Sequence, residues 1–392
     1  MTEHRIAPLS VEEAVARGGQ VRIHPDLARF EVMRALLHHP PLAKAIQTLL
    51  IMLLFKGRIL DERLRELVIM RIAWRTASLY EWTQHWRVAR DLGMEEADIL
   101  GVRDWQGFAG YGVPERAVLA AVDETLDNGA VSPGTMAACL DILGSPAQAL
   151  ELLAAIGNWR MFSQLLRSLR IPLEEGVEAW PPDGAAPPKP EIGVSGGMAG
   201  REGVDGAPVL PLLSPDESAG HGKELGLDDG QARRAPYRLL LQHPPLARAL
   251  NGLLSRLLYN GVLDARVREL VIMRTAWRTG SAVEWARHVP FCGRVGVSDA
   301  DLLAVRGPLE DADFNAAERA ALMATDDTLE TGAVGDDAWA ACVSAFETVP
   351  ELLELVAAIS HWRMYSQILR SSGAPHEEGD TVWAPDGRFP AG

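Results

Sequence analysis

Residues 65–71 read Arg-Glu-Leu-Val-Ile-Met-Arg, and residues 268–274 repeat the same seven amino acids. Each copy continues into Ala-Trp-Arg-Thr and then into Glu-Trp-x-x-His. The two blocks start at 65 and at 268, a spacing of 203 residues, which is far longer than the period of about 20–50 residues in solenoid repeats. The chain therefore contains a tandem duplication of a whole domain.

The duplication extends over most of the chain. Three shorter motifs recur in the same order: His-Pro-Pro-Leu-Ala at 39–43 and 243–247, Trp-Arg-Met at 159–161 and 362–364, and Glu-Glu-Gly at 174–176 and 377–379. The stretch between the copies, residues 181–206, is rich in proline and glycine, which is the composition of a linker. We predict a first domain at residues 1–184, a linker at 185–208 and a second domain at 209–392.

The composition limits the class of protein and its partners. The 392 residues are 47% hydrophobic and 23% charged, as in ordinary soluble proteins, and carry a net charge of −15. An acidic surface repels nucleic acids and anionic membranes, so neither is an expected partner. The N-terminal segment lacks the apolar run of a signal peptide, and residues 49–55, the longest apolar run, are too few to span a bilayer. The three cysteines lack paired spacing, so we expect a reducing compartment and a cytoplasmic protein.

The spacing of apolar residues is helical, and no segment shows the sustained alternation of a β-strand. We predict one helix that starts after the cap residue Asp61 and a second over 78–92 that ends at Gly93. His39 and His243 precede prolines and are predicted to be turn residues. Each repeat should be an all-α domain of six or seven helices. Further helices are predicted over 115–126, 133–143 and 146–169.

Two glutamates and a histidine in the repeated block are candidates for catalysis. Glu81 and His85 lie one turn apart on the same face of the second predicted helix, and Glu66 lies on the preceding, antiparallel helix. A carboxylate beside an imidazole raises the pKa of the imidazole and fixes its tautomer, as a general acid-base group requires. We predict that His85 exchanges protons with the substrate, Glu81 orients it and Glu66 completes the relay. The second copy supplies Glu269, Glu284 and His288.

A second set of residues is expected to bind the substrate. An arginine can clamp a carboxylate, and tryptophans can wall an apolar pocket around polar groups. The hydroxyl of Tyr80 can donate to a developing oxyanion, whereas the second copy has Val283 there, so we expect the first copy to be the active one. The predicted substrate-binding residues are Arg75, Tyr80, Trp82, Trp159, Arg278, Trp285 and Trp362.

Two other interpretations of these residues stay open. Glu66 could form a structural ion pair with Arg63 or Arg71 while His85 lies on the helix surface, in which case the repeated block only preserves packing. Two carboxylates and a histidine could also hold a metal. No second histidine lies at ligand spacing, however, so we predict neither a metal nor another cofactor.

The Tyr-Glu-Trp-x-x-His block at residues 80–85 resembles the carboxymuconolactone decarboxylase family, whose superfamily includes alkylhydroperoxidase D. The Arg-Glu-Leu-Val segment before it and the Trp-Arg-Met helix after it fit the same pattern, and the resemblance covers nearly everything outside the linker. It implies an all-helical fold. Because subunits of this family are usually small and assemble into oligomers, it also implies that the tandem domains form an internal pseudo-dimer, with further homo-oligomers open.

The family that the chain resembles has two branches, which carry out different chemistry. The peroxidase branch uses a Cys-x-x-Cys pair with a glutamate and a histidine, which fall here on Glu66 and His85. In this chain a serine and a glutamate occupy the positions of the two cysteines, and they cannot form the thiolate and disulfide that peroxide reduction needs. What remains resembles the decarboxylase branch, which carries out cofactor-free acid-base chemistry on a carboxylated lactone. The cysteine positions fall on Ser78, Glu81, Ser281 and Glu284.

Three functions are consistent with the sequence. The first is a cofactor-independent lyase or isomerase that decarboxylates, dehydrates, isomerises or cyclises a small carboxylated, lactone or polycyclic metabolite in specialised metabolism. The second is a thiol-free peroxidase or other oxidoreductase, which would need a bound metal or haem. The third is a non-catalytic binding or scaffold protein. The repeated glutamates and histidines favour the first function, with a small molecule as the partner.

Overall fold

The computed structural model describes residues 4–190 and 208–390. Helices account for 66% of the structure and these residues contain no β-strand, so the all-α prediction is confirmed. Among the same residues, no helix combines the length and the apolar character that crossing a membrane requires. The predicted linker at 185–208 falls mostly outside the described residues, and the domain boundaries remain predictions.

Each half of the chain forms ten α-helices and one short 3-10 helix among the described residues. Those of the first half, α1 to α10, are Val11–Gln20, Pro25–Ala28, Glu31–Leu36, Pro40–Leu54, Glu62–Arg75, Leu79–Asp91, Glu96–Gly101, Val113–Asn128, Pro133–Leu143 and Pro146–Leu169. Those of the second half, α11 to α20, are Pro215–Leu225, Asp229–Ala232, Ala235–Leu240, Pro244–Tyr259, Ala265–Thr279, Ala282–Arg294, Asp299–Ala304, Ala316–Thr331, Asp336–Ala345 and Val349–Ser372. The 3-10 helices are Val102–Asp104 and Leu309–Asp311.

The helices predicted from the sequence agree with the long helices of the structure, but the prediction missed the short ones. The helices predicted over 133–143 and 146–169 match α9 and α10 at both ends. The Asp61 carboxylate accepts a hydrogen bond from the Leu64 N–H at 3.0 Å and caps α5 as predicted. The prediction of six or seven helices per domain was too low, because α2, α3 and α7 have only four to six residues. Such short segments carry too little periodicity to be recognised.

Helices α5 and α6 form a hairpin through a tight turn. Ala77 in this turn has a φ of 52°, in the left-handed region, and the equivalent residue of the second copy is Gly280 with a φ of 62°. Glycine adopts this conformation without the steric cost of a Cβ. The turn folds α6 back along α5, so that His85 comes to lie beside Glu66.

The two halves pack against each other through α10 and α20, and through α4 and α14. Gly157 lies where the first two helices cross, since a Cβ there would be 2.5 Å from Met364 Cγ and 2.7 Å from Gln367 Oε1. The missing side chain lets the two helices approach closely. Equivalent helices of the two copies thus meet each other, as in the predicted internal pseudo-dimer.

Two buried histidine–glutamate pairs cross the boundary between the halves reciprocally. His39 Nε2 lies 2.7 Å from Glu354 Oε1, and His243 Nε2 lies 3.0 Å from Glu151 Oε2. Each glutamate also accepts two backbone N–H groups of the loop that leads into α5 or α15. His39 and His243 therefore join the halves, a role that their prediction as turn residues did not include.

The pKa of Glu354 reflects this environment. Burial is the largest influence and raises the pKa, but the hydrogen bonds from His39 and from the Leu263 and Val262 N–H groups outweigh it. The pKa therefore lies below its ordinary value of 4.5. The resulting stabilisation is present above pH about 4.5 and decreases as the pH falls through the lowered pKa.

We expect Glu354→Ala to lower the free energy of unfolding by about 3–5 kcal/mol, because His39 and two backbone N–H groups lose their buried acceptor. Denaturant unfolding at neutral pH measures the effect. Glu347→Ala, at an exposed position of the same half, is the control and should change stability by no more than about 0.5 kcal/mol. Equal losses in the two variants would contradict the assignment.

Candidate acid-base site

Glu66 and His85, which the sequence places on neighbouring helices, are in direct contact. His85 Nδ1 lies 2.8 Å from Glu66 Oε2, and the equivalent distance between His288 and Glu269 is 2.7 Å. Both glutamates are fully buried, whereas the histidine side chains are 12% and 10% exposed. The fold thus builds the same carboxylate–imidazole pair twice, and the histidine is the member of each pair that solvent reaches.

Arg65, which sequence reasoning missed, holds the other oxygen of the Glu66 carboxylate. Its Nε and Nη2 donate to Glu66 Oε1 at 3.0 and 2.9 Å. Arg63 and Arg71, the partners considered from the sequence, pair with other carboxylates. The available signal was the Arg-Glu dipeptide itself, which both copies contain. The second copy repeats the contact at 3.4 and 3.3 Å, between Arg268 and Glu269.

The partners of Glu66 keep it ionised. Burial is the largest single influence and raises the pKa of Glu66, but the charges and hydrogen bonds of His85 and Arg65 together outweigh burial. The pKa therefore lies below its ordinary value, and the carboxylate is charged at neutral pH. A charged carboxylate against Nδ1 stabilises a positive charge on the imidazole ring.

Trp159 contacts the second nitrogen of the imidazole. Its indole Nε1–H donates to His85 Nε2 at 3.1 Å, and Trp362 donates to His288 Nε2 at 3.4 Å. An indole N–H can only donate, so Nε2 accepts, and these partners assign the proton of the neutral ring to Nδ1, facing the glutamate. Trp159 and Trp362, predicted as pocket walls, therefore end a hydrogen-bonded chain of arginine, glutamate, histidine and tryptophan.

The sequence predicted that Glu81 orients His85, but the two side chains are not in contact in the structure. It is buried at the start of α6, and neither of its carboxyl oxygens makes a hydrogen bond of normal geometry. Burial raises its pKa well above the ordinary value, while Ser78 and Arg167 act in the opposite direction. Two residues one turn apart share a helix face, but the carboxylate here lies near Ser78 whereas the imidazole turns towards α5.

Glu284, the equivalent of Glu81, is also apart from the imidazole of its own copy. Its carboxylate accepts a hydrogen bond from Ser366 Oγ of α20. Burial raises the pKa of Glu284 to about 8, and the hydroxyls of Ser366 and Ser281 act in the opposite direction. The carboxyl is therefore mostly protonated at neutral pH.

The arginines predicted to bind the substrate are occupied by carboxylates of α8 and α18. Arg75 lies 2.9 Å from Asp123 and 2.6 Å from Asp127. These ion pairs join α5 to α8 and do not bring the guanidinium to Glu66 or His85. The second copy repeats the arrangement with Arg278, Asp326 and Glu330.

Tyr80 and Trp82 are also engaged in structural contacts. The Tyr80 hydroxyl donates to Glu174 Oε1 at 2.5 Å, so it is not available to an oxyanion, and this removes the reason for preferring the first copy. Trp82 is fully buried, and its Nε1–H donates to the Pro181 carbonyl at 2.8 Å. These contacts anchor the tail that follows α10. The second copy has the same indole contact at 2.9 Å, between Trp285 and Ala384.

The three cysteines are not members of the glutamate–histidine pairs, although Cys292 lies one turn after His288 on α16 and the charge of Glu269 acts on its thiol. Cys139 and Cys342 occupy equivalent positions of the two copies, and all three thiols are buried. Burial raises the pKa of Cys139, Cys292 and Cys342 to about 12, so none is a thiolate at neutral pH. In the part of the chain that the structure describes, no three His, Cys, Asp or Glu side chains are grouped so that they could hold a metal.

The fold and the paired sites define a tandem all-helical protein with one buried glutamate–histidine pair in each half. The model of the carboxymuconolactone decarboxylase family matches residues 40–124 and 244–327, which contain both pairs. The domain of this family is thus matched twice in tandem, once in each half of the chain. The comparison with curated proteins found no match.

We expect Glu284→Gln to remove a pH dependence of stability. A carboxyl whose pKa is raised by folding binds its proton more tightly in the folded state, so wild-type stability falls between pH about 4.5 and 8 and then levels off. As the pH rises over this range, the free energy of unfolding of the variant should increase relative to that of the wild type by a few kcal/mol, since each pKa unit corresponds to about 1.4 kcal/mol. Denaturant unfolding across this pH range measures it, with Glu347→Gln as the exposed control. Parallel curves for wild type and Glu284→Gln would be inconsistent with a protonated Glu284.

Proposed function

We propose that the chain is a cofactor-independent acid-base enzyme, a lyase or isomerase that acts on a small carboxylated or lactone metabolite. The observation that supports this function is the buried carboxylate–imidazole pair, present in both copies at 2.8 and 2.7 Å. Neighbouring positions have diverged since the duplication: Tyr80, Trp86 and Ile72 correspond to Val283, Val289 and Thr275.

In the proposed reaction, Nε2 of His85 or His288 exchanges the proton. Loss of CO2 breaks the bond between the substrate carbon and its carboxylate, and the electron pair stays on that carbon, delocalised into a neighbouring carbonyl or alkene. The imidazolium delivers its Nε2 proton to the carbon and becomes neutral. Water then returns a proton to Nε2, and the hydroxide that this leaves adds to the released CO2 to form bicarbonate. The ionised Glu66 or Glu269 stabilises the imidazolium before the transfer.

The indole has to leave Nε2 before this nitrogen can be protonated and face the substrate, because its single lone pair accepts the tryptophan N–H in the neutral ring. At 3.1 and 3.4 Å the indole contacts are longer than the contacts of the imidazole with Glu66 and Glu269. They are also neutral, and neutral hydrogen bonds are weaker than charge-assisted ones. The indole is therefore the partner of the imidazole that a substrate replaces most easily.

A non-catalytic binding or scaffold role is the second candidate, and one observation favours it. Both imidazole nitrogens already have partners in each copy. A buried polar network whose members are all satisfied also rigidifies a fold without any chemistry. In that case the two chains of hydrogen bonds only tie α5 and α6 to α10, and α15 and α16 to α20.

Turnover by histidine variants distinguishes the two candidates. Removing a general acid-base group lowers the rate by about 10²–10⁴-fold. We expect the double variant His85→Ala/His288→Ala to show a loss of this size in CO2 release from carboxymuconolactone and related carboxylated lactones. If the two sites work independently, each single variant should keep about half of the activity, since the rates of separate sites add.

His376→Ala, at an exposed position, is the matched control and should retain wild-type turnover. Thermal melts establish that each variant is folded. A folded double variant with wild-type turnover would remove the histidines from the mechanism. A wild type that turns over none of these lactones would favour the scaffold role.

The cysteines provide a separate test against the oxidoreductase alternative. We expect the triple variant Cys139→Ala, Cys292→Ala and Cys342→Ala to keep its lactone turnover, because burial keeps the three thiols protonated and none of them belongs to a glutamate–histidine pair. Peroxide consumption is measured in parallel. Peroxide turnover that is present in the wild type and lost in the triple variant would assign the chain to thiol redox chemistry.

A further inference from the structure

A groove between the two halves carries an unusual set of charges. It is lined by the end of α1 and by α4 and α14, and has a volume of about 530 Å³, within the range of small-molecule sites. Arg22, Lys44 and Arg256 line it, and no aspartate or glutamate belongs to its lining. In a chain with a net charge of −15, a groove with three cations and no carboxylate is a local reversal of charge.

These cations have no anionic partner among residues 4–190 and 208–390. Lys44 Nζ donates to the Arg22 carbonyl and to Gln47 Oε1, both at 3.1 Å, which satisfies hydrogen bonds but not charge. Arg256 Nε is buried without an acceptor in the same residues. By contrast, Arg65 and Arg75, which are buried, contact carboxylates. The groove therefore presents charge that its own residues do not neutralise.

The proximity of the cations is itself unfavourable. Burial lowers the pKa of Lys44, and the positive charge of Arg22 lowers it further. Two cations held together in a partly desolvated groove repel each other unless an anion lies between them. A ligand with negative charge would relieve this repulsion.

The fold does not require this arrangement, as the duplication shows. The positions equivalent to Arg22, Lys44 and Arg256 in the other half are Gly226, Arg248 and Met52. Two of the three cations thus occur on one side only, although the equivalent helices α4 and α14 pack against each other. The groove has acquired its charge separately from the packing of the helices.

We propose that this groove binds a small polyanion, a molecule with two or more carboxylate or phosphate groups, which Arg22, Lys44 and Arg256 contact by charge-assisted hydrogen bonds. The site is separate from the imidazole pairs, since neither His85 nor His288 lines it. Its apolar wall, formed by Pro41, Ala45 and Ala249, suits the carbon skeleton of such a ligand.

Calorimetric titration of the full chain with citrate and with pyrophosphate tests the proposal. We expect one ligand to bind per chain with a dissociation constant below about 1 mM, and to bind more weakly as salt is raised from about 50 to 300 mM. Tighter binding of citrate would identify a carboxylate ligand, and tighter binding of pyrophosphate would identify a phosphate ligand. Absence of binding for both probes overturns the proposal.

Variants locate the site. Arg22→Gln, at an exposed position, and Lys44→Gln should each weaken binding about tenfold or more, because each removes a charged hydrogen bond. Arg248→Gln, the equivalent of Lys44 in the other half, is the matched control and should bind as the wild type does. Equal effects in Lys44→Gln and Arg248→Gln, or two ligands bound per chain, would place the binding elsewhere.

Discussion

The arrangement of the two halves depends on two buried carboxylates, Glu151 and Glu354. Each accepts two backbone N–H groups from the loop that enters α5 or α15, and each also contacts a histidine of the opposite half. A buried carboxylate that lost one of these partners would be left with charge that burial destabilises. The start of the helix that carries Glu66 is therefore held by Glu151 of the same half, and His243 of the other half contacts that carboxylate. The pairing of the domains is in this way linked to each acid-base pair.

The hydrogen-bonded chain from arginine to tryptophan depends on this packing of the helices. Arg65 and Glu66 come from α5, His85 from α6 and Trp159 from α10, so three helices have to be in place before the imidazole has both partners. The charged end of the chain is buried, and the histidine is its more exposed part. Such an arrangement suits proton exchange at the imidazole, because the stabilising carboxylate is shielded from water while the histidine side chain is partly exposed.

The sequence predicted what depends on local spacing and missed what depends on distant contacts. The duplication follows from the repeated sequence and the helix start from the cap residue Asp61, while the meeting of Glu66 with His85 follows from helical periodicity and a short turn. Periodicity assigns a residue to a helix face but does not say which neighbour its side chain reaches, so the separation of Glu81 from His85 was not predictable. The partner of Arg75 is 52 residues away on α8, and that of His39 is in the other domain, 315 residues away.

Comparison of equivalent positions in the two halves also distinguishes the residues that the fold requires from those that it does not. Residues of the acid-base pairs and of the reciprocal histidine–glutamate contacts are the same in both halves. Tyr365 and His361 differ, since the first half has Phe162 and Asn158 at these positions. The Tyr365 hydroxyl is buried and without a hydrogen-bond partner among the described residues, at a cost of about 1–3 kcal/mol. Because the first half packs with a phenylalanine there, packing does not explain this hydroxyl. His361 lies against Trp362, with ring centroids 5.2 Å apart, so the region beside the second imidazole is where the halves have diverged beyond the needs of the fold.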